Sequence, residues 1–258
     1  MEPVLRVEQL TKIYRKGSFG KTHSEVTAVR DLSFCLMRGE CLGLIGESGS
    51  GKSTAAKLIT LLTDATEGRI LLDGEDITGW RGKKLRQAYR KMQMVFQSPA
   101  DSFDPRRTLG DGIGESLLNS GMRRAQAKEE IKKLLVMCGL SEEFAEKYPH
   151  EVSGGQCQRA AIARAIAIRP EVLICDEATS ALDVTVQKEI IALLNRLRWE
   201  QGANLSILFI CHDIALVQQF CDRVIVMYHG QIVEQGTPDE VIRDPKDEYT
   251  QRLINSIL

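Results

Sequence analysis

Apolar and polar positions alternate near the start of the chain. Leu5-Arg6-Val7-Glu8 switches at every step, and Ala28 to Leu36 carries another short run with a strand-like pattern. A period of two sends side chains to opposite faces, so both segments predict β-strands. Ile70-Leu71-Leu72 ahead of Asp73-Gly74 predicts a strand that enters a hairpin turn. Cys41-Leu42-Gly43-Leu44-Ile45 is an apolar run without alternation, which predicts a buried strand. It leads into a glycine-rich loop, and Ser53 to Leu62 then reads as a helix.

The pattern changes in the middle of the chain. Ala127, Ile131, Leu134, Leu135 and Cys138 fall at helical spacing. From about Pro99 to Val152 helices and loops dominate, which predicts a helical insertion of roughly 50 residues, small for a domain. The last third alternates again. Val172 to Cys175 and Ile207 to Cys211 are short apolar strands, and Val186 to Trp199 between them is an amphipathic helix. Strand, helix and strand in that order imply a parallel sheet. Val224 to Tyr228, the turn His229-Gly230 and Gln231 to Glu234 predict a closing hairpin. The expected organisation is one domain in which 1–98 and 153–258 build the core and 99–152 is the helical insertion.

Composition narrows the class without naming a function. The chain has 258 residues, 43% hydrophobic and 27% charged, which is ordinary for a globular protein able to bury a core. A net charge of −1 provides no basic excess to draw the chain to nucleic acid or anionic lipid. No apolar stretch approaches the ~18 residues of a membrane span, and the N-terminal residues lack the pattern of a signal peptide. The seven cysteines are scattered, with no C-x-x-C pair. They read as free thiols in a reducing compartment, packing as small apolar side chains.

The chemistry concentrates in a few segments. Gly46-Glu47-Ser48-Gly49-Ser50-Gly51-Lys52-Ser53 matches G-x-x-x-x-G-K-[ST] and is followed by Thr54. Its glycines let successive N–H groups curl around a phosphate, at the positive end of a helix dipole. In such a loop Lys52 would reach the β- and γ-phosphates, and the Ser53 hydroxyl would be a ligand for Mg2+. The alternative is a plain glycine turn opening a helix. Cys175-Asp176-Glu177 ends an apolar strand. In open α/β sheets ligands sit beyond such strand ends, so Asp176 can hold Mg2+ through water and Glu177 can polarise an attacking water. An adjacent acid pair is otherwise solvated surface. His212 follows its strand in the same way, although a lone histidine is more often structural. Ser153-Gly154-Gly155-Gln156 opens the helical run Cys157 to Ile168. It reads either as a helix cap or as a second phosphate cradle. A second cradle without a lysine makes sense if it faces a triphosphate held by another copy.

Together these segments resemble the ATP-binding cassette proteins over essentially the whole chain. Val152-Ser153-Gly154-Gly155-Gln156 is similar to their signature motif, with valine where leucine is usual. Leu173 through Asp183 resembles their Walker B segment running into the D-loop, Val95-Phe96-Gln97 their Q-loop, and His212 their switch histidine. Tyr14, in Leu10-Thr11-Lys12-Ile13-Tyr14, sits where the family stacks an aromatic ring on adenine. The resemblance implies an α/β P-loop NTPase cassette. Its parts are a mostly parallel sheet core, an antiparallel β subdomain and a helical subdomain insertion. It also implies ATP and Mg2+ as ligands and a head-to-tail dimer with a second cassette, identical or different. Each ATP would lie between Gly46–Thr54 of one chain and Ser153–Gln156 of the other, with Asp183 crossing nearby. Glu177, His212 and Gln97 would be catalytic; Gln97 would sense Mg2+ and link the site to a membrane partner.

Narrower likenesses point to importers of peptides and nickel. They are Phe96-Gln97-Ser98-Pro99 through Ser102-Phe103-Asp104-Pro105-Arg106, Ala181 through Gln187, and the tail Asp244-Pro245 to Tyr249-Thr250 followed by Leu253. That resemblance implies two integral membrane permeases, an extracytoplasmic substrate-binding protein and a peripheral seat on the cytoplasmic face of the membrane. The chain stops at Leu258 without a longer cysteine-containing tail, so no iron–sulfur cluster is expected. Other readings are a soluble cassette ATPase acting on DNA or ribosomes, and an exporter subunit. Neither a coiled-coil insertion nor a zinc module, which would favour the soluble reading, is visible.

Overall fold

The alternation at Leu5–Glu8 is realised in a long strand, β1 (Pro3–Lys16). The computed structural model describes residues 2–16, 24–180, 182–200 and 205–256. Ala181 of the D-loop resemblance and the chain end at Leu258 lie outside the described residues. β1 is followed by β2 (Ser24–Met37), β3 (Cys41–Ile45), α1 (Lys52–Ile59), β4 (Glu67–Leu72) and the two-residue β5 (Glu75–Asp76). Of these, β1, β2, β4 and β5 form an antiparallel sheet in the order β2-β1-β4-β5. Val7 is paired with Phe34 on one side and Ile70 on the other, and all three are buried. Asp73 and Gly74 turn β4 into β5 with positive φ at both residues, the geometry that two-residue hairpins need. Helix α1 stops short of the expected Leu62. The Thr60 hydroxyl donates to the Ala56 carbonyl at 2.7 Å, and Leu61 takes a left-handed φ of 56°.

Helix α2 (Gly82–Lys91) and strand β6 (Met92–Val95) were not legible as elements. α2 is mostly Lys, Arg and Gln with only Ala88 buried, so it offers no apolar stripe to read. The chain clusters into two compact units, residues 90–205 and the remainder. In the 90–205 unit come α3 (Leu109–Asn119), α4 (Arg124–Met137), α5 (Gly154–Ile166), β7 (Val172–Asp176) and α6 (Val184–Glu200), with β6 and β7 parallel. Thr108 and Asp111 close a capping box that sets the start of α3. Leu109, Ile113 and Leu117 of α3 are buried, as are Ala127, Leu134 and Leu135 of α4. Ala160, Ala161, Ala163 and Ala165 line α5, and such small residues let neighbouring backbones approach closely.

The other unit is completed by β8 (Ser206–Ile210), α7 (Ile214–Phe220), β9 (Arg223–Tyr228), β10 (Gln231–Gly236), α8 (Pro238–Arg243) and α9 (Glu248–Asn255). Here β3 is the middle strand, parallel to both β8 and β9, and β10 runs antiparallel to β9. Every residue of β3 and β8 is buried, as the unbroken apolar runs predict. The parallel core and the antiparallel sheet are therefore both present. Because β3 and β8 are parallel and Leu44 is level with Ile210, the segments that follow them leave the same edge of the sheet. The first of those segments begins with Gly46, and His212 is the second residue of the other, after Cys211.

Candidate nucleotide site

Gly46–Thr54 leaves the C-terminal end of β3 and closes on its own lysine. Lys52 Nζ donates to the carbonyls of Gly46 and Glu47 at 2.7 and 2.8 Å and reaches Ser50 Oγ at 3.5 Å. The ammonium is thus held inside the loop, in a residue only 4% exposed. Two glycines make the curl possible. Gly46 has φ 146°, and a Cβ there would stand 2.2 Å from the Met227 carbonyl oxygen. Gly51 has φ 105°, and a Cβ would stand 2.4 Å from the Ala28 carbonyl oxygen. A side chain at either position would push the loop off the strands behind it. Gly51 is also the N-cap of α1, and no side-chain hydrogen bond caps that helix. The first-turn N–H groups of Lys52, Ser53 and Thr54 therefore face the loop at the positive end of the helix dipole.

The loop is braced by residues distant in sequence. The β9–β10 turn donates Gly230 N–H to the Ser50 carbonyl at 2.8 Å. The Glu47 N–H donates to the Tyr249 hydroxyl of α9 at 2.9 Å. Glu47, Ser48 and Gly49 remain exposed. A cavity of about 960 Å3 opens beside them, with His212, Asp213 and Arg243 in its wall. His212 is exposed, and Asp213 after it caps α7 by accepting from the Ala215 and Leu216 N–H groups. Tyr14 is 40% exposed near the end of β1, with the Lys12 ammonium 5.0 Å from its ring centroid.

The remaining candidates lie in the 90–205 unit. Asp176 ends β7 and is 6% exposed. Glu177 follows in a left-handed conformation, φ 49°, which costs a non-glycine residue about 1–2 kcal/mol. Gln97 Nε2 donates to Glu177 Oε2 at 2.9 Å and approaches Ser180 Oγ at 3.4 Å. Ser180 Oγ in turn donates to the Glu177 carbonyl at 3.0 Å. The glutamate is thus oriented from both ends, with its backbone turned out of the strand direction. Ser153 and Gln156 form a capping box. The Ser153 hydroxyl accepts from Gln156 N–H at 3.3 Å, and Gln156 Oε1 accepts from Ser153 N–H at 2.9 Å. Gly154 beside them is exposed and Gly155 is half-buried. Asp183 caps α6 by accepting from Val186 N–H at 3.0 Å.

Within each unit, then, the structure gathers part of the set: Gly46–Thr54 with His212 in one, Gln97 with Asp176 and Glu177 in the other. Ser180, Asp213 and Tyr249 joined the site without being singled out for it by the sequence. Ser180 and Asp213 are polar residues just after strand ends, which is a usable signal; Tyr249 is 202 residues from Glu47 and carries no such signal. Among the described residues no cluster of three His, Cys, Asp or Glu forms a metal cage. Mg2+ does not ask for one, since it takes one or two carboxylates plus phosphates and water. The hydroxyl of Ser53, the carboxylate of Asp176 and the amide oxygen of Gln97 are hard oxygen donors suited to that ion. Burial pushes the Cys138 thiol up to about 12 and the Cys157 thiol up to about 11, so both are inert packing groups.

The chain matches the family model "ABC transporter" over residues 29–180. It is 46% identical to "Probable peptide ABC transporter ATP-binding protein y4tS" of Sinorhizobium fredii, over 98% of this chain and 72% of that protein. It is 44% identical to the "Oligopeptide transport ATP-binding protein OppF" of Bacillus subtilis, over 97% of this chain and 83% of that one. Among solved structures it resembles the ATP-binding cassette MJ0796, a dimer in a post-hydrolysis state bound to ADP and Pi. The TM-score is 0.81 and the identity 28%, over 91% of this chain and 98% of that one.

Proposed function

The chain belongs to the ABC transporter family, an ATP-binding cassette with ATPase activity, and on that premise we propose that it energises an importer for peptides. The cargo reading rests on the two relatives, whose names carry peptide and oligopeptide transport, and on the local likenesses after Gln97, around Asp183 and in the tail. Nickel or another metal chelate is the second cargo class those likenesses admit, and the names of the relatives favour peptides over it.

ATP binds with its phosphates on Gly46–Thr54. Lys52 then exchanges the Gly46 and Glu47 carbonyls for phosphate oxygens, and the first-turn N–H groups of α1 supply the rest of the cradle. Ser53, Asp176 and Gln97 would hold Mg2+, which when bound neutralises charge on the phosphates. Glu177 takes the proton of the attacking water, with its carboxylate oriented by Gln97. His212 contacts the γ-phosphate, and Tyr14 stacks on adenine. The site is completed by a second cassette: Ser153–Gln156 and Asp183 act on the ATP of the partner chain, in a head-to-tail dimer that ATP closes and hydrolysis reopens. The dimer with ADP and Pi seen for the structural relative supports that reading. Residues 99–152, which hold α3 and α4, serve as the helical subdomain. No helix among the described residues is long and apolar enough to cross a membrane. Two permease subunits form the pathway, an extracytoplasmic binding protein delivers cargo, and this chain sits on the cytoplasmic face.

The observation that carries the ATPase chemistry is the hydrogen bond from Gln97 to a strained Glu177. Its test is Glu177→Gln. ATP affinity should be kept while turnover falls about 10²–10⁴-fold, the worth of a general base. Turnover at the parental rate would remove Glu177 from the role.

A further inference from the structure

The tail motif around Tyr249 has no part in the chemistry described so far, yet its hydroxyl touches the phosphate loop. The peptide groups on either side of Glu47 are held from both directions. Lys52 Nζ takes the Glu47 carbonyl at 2.8 Å, and Tyr249 Oη accepts the Glu47 N–H at 2.9 Å. Tyr249 is itself fixed. It is 5% exposed, and its ring stacks on Tyr228 with centroids 3.9 Å apart and planes 25° apart. Asp247 caps α9 by accepting from the N–H groups of Tyr249 and Thr250. Glu234 of β10 accepts from the N–H groups of Lys246 and Asp247, which ties the start of α9 to the sheet.

These two anchors are not equivalent once a triphosphate arrives. Lys52 is the group that turns toward the phosphates, and when it does the Gly46 and Glu47 carbonyls lose it. The Tyr249 hydroxyl binds no phosphate in this arrangement and stays where the stack on Tyr228 puts it. We propose that Tyr249 is a positioning residue of the nucleotide site: α9 holds Glu47 in place from behind, so that the loop keeps its curl after Lys52 has moved to the ligand. This inference rests on the reading of Gly46–Thr54 as the ATP site. It gives the C-terminal tail a duty at the nucleotide, through a single hydrogen bond spanning 202 residues. Burial raises the Tyr249 phenol above its ordinary value, so it remains a neutral hydroxyl under physiological conditions.

The test is Tyr249→Phe in the full chain, which removes the hydroxyl and keeps the ring on Tyr228. ATP affinity is measured by equilibrium binding, and amide hydrogen exchange is followed at Glu47 with and without ATP. The Kd for ATP should rise about 2–10-fold, the worth of one neutral hydrogen bond. The Glu47 amide should exchange faster in the variant, most clearly in the ATP-loaded state, while the amides of α9 keep their parental rates. An unchanged Kd, an unchanged Glu47 rate, or faster exchange spread over all of α9 would overturn the inference; the last would mark Tyr249 as a packing residue only. Lys52→Ala runs alongside. If it binds ATP like the parent, the reading of the loop fails. If it loses ATP while Tyr249→Phe does not, only the role of Tyr249 fails.

Discussion

Helices α1 and α5 both begin at a loop of glycine and serine, and they present their N-termini in opposite ways. At α1 the N-cap is Gly51, which has no side chain to give, and a buried lysine lies inside the loop. At α5 the N-cap is Ser153, whose hydroxyl accepts from Gln156, while Gln156 reaches back to Ser153 N–H. The first end has no side-chain cap and brings its own positive charge, the combination that favours an anion. The second has already satisfied two of its donors and has no cation, so by itself it is a well-made helix cap. The lesson is that the same sequence flavour, glycine and serine before a helix, gives an uncapped end beside a buried lysine in one place. In the other it gives a capped helix start, which in the proposed dimer would act on a ligand held elsewhere.

The contrast can be broken experimentally, starting with its strongest side. Lys52→Ala should weaken ATP binding about 10–100-fold, the worth of hydrogen bonds to a charged group. Equilibrium binding reads this directly, and parental affinity would erase the distinction between the two ends. Next comes complementation. A Lys52→Ala chain mixed with a Ser153→Ala chain should show more ATPase than either alone, because one composite site per mixed dimer is intact. No recovery would mean that α5 does not act across a dimer of identical chains. Ser153→Ala on the isolated chain should lower stability by about 1 kcal/mol through the lost cap, with ATP affinity unchanged. Denaturant unfolding and an ATP titration give both values, and a loss of affinity would make α5 part of the site in its own chain. The smallest effect reads how firmly α5 is seated. Arg159 of α5 donates to the Cys138 carbonyl at 3.0 Å, over a thiol pushed up to about 12 by burial. Alkylation at about pH 8 should leave Cys138 unlabelled. Labelling would mean that this part of the unit opens.

Legibility followed distance along the chain. The loop after β3 could be read residue by residue because Gly46, Gly51, Lys52 and Ser53 are neighbours, and their spacing alone prescribes a phosphate cradle. β3 and β8 were legible because unbroken apolar runs admit few structures. α2 was missed because nine of its ten residues are not buried, so its helical period left no apolar trace. In β1 only four residues alternate visibly, yet the strand is fourteen long. The irregular pairing around Gln9, with φ 49°, interrupts the alternation that would have revealed the rest.

The amino-acid sequence by itself determined that this chain carries a phosphate loop, an acid pair at a strand end and a glycine-serine helix start, because each is a local pattern with a local physical reason. Tertiary structure decided how those pieces are held. Only folding brings Gln97 onto Glu177 across 80 residues, and Tyr249 onto Glu47 across 202. A hydrogen bond between distant residues depends on strand order and packing, and neither residue's neighbours in the chain record it. The difference between α1 and α5 has both sources. The presence of Lys52 and the absence of a side chain at Gly51 are written in the sequence. The approach of the Met227 and Ala28 carbonyls, which leaves room for nothing but hydrogen at Gly46 and Gly51, belongs to the fold.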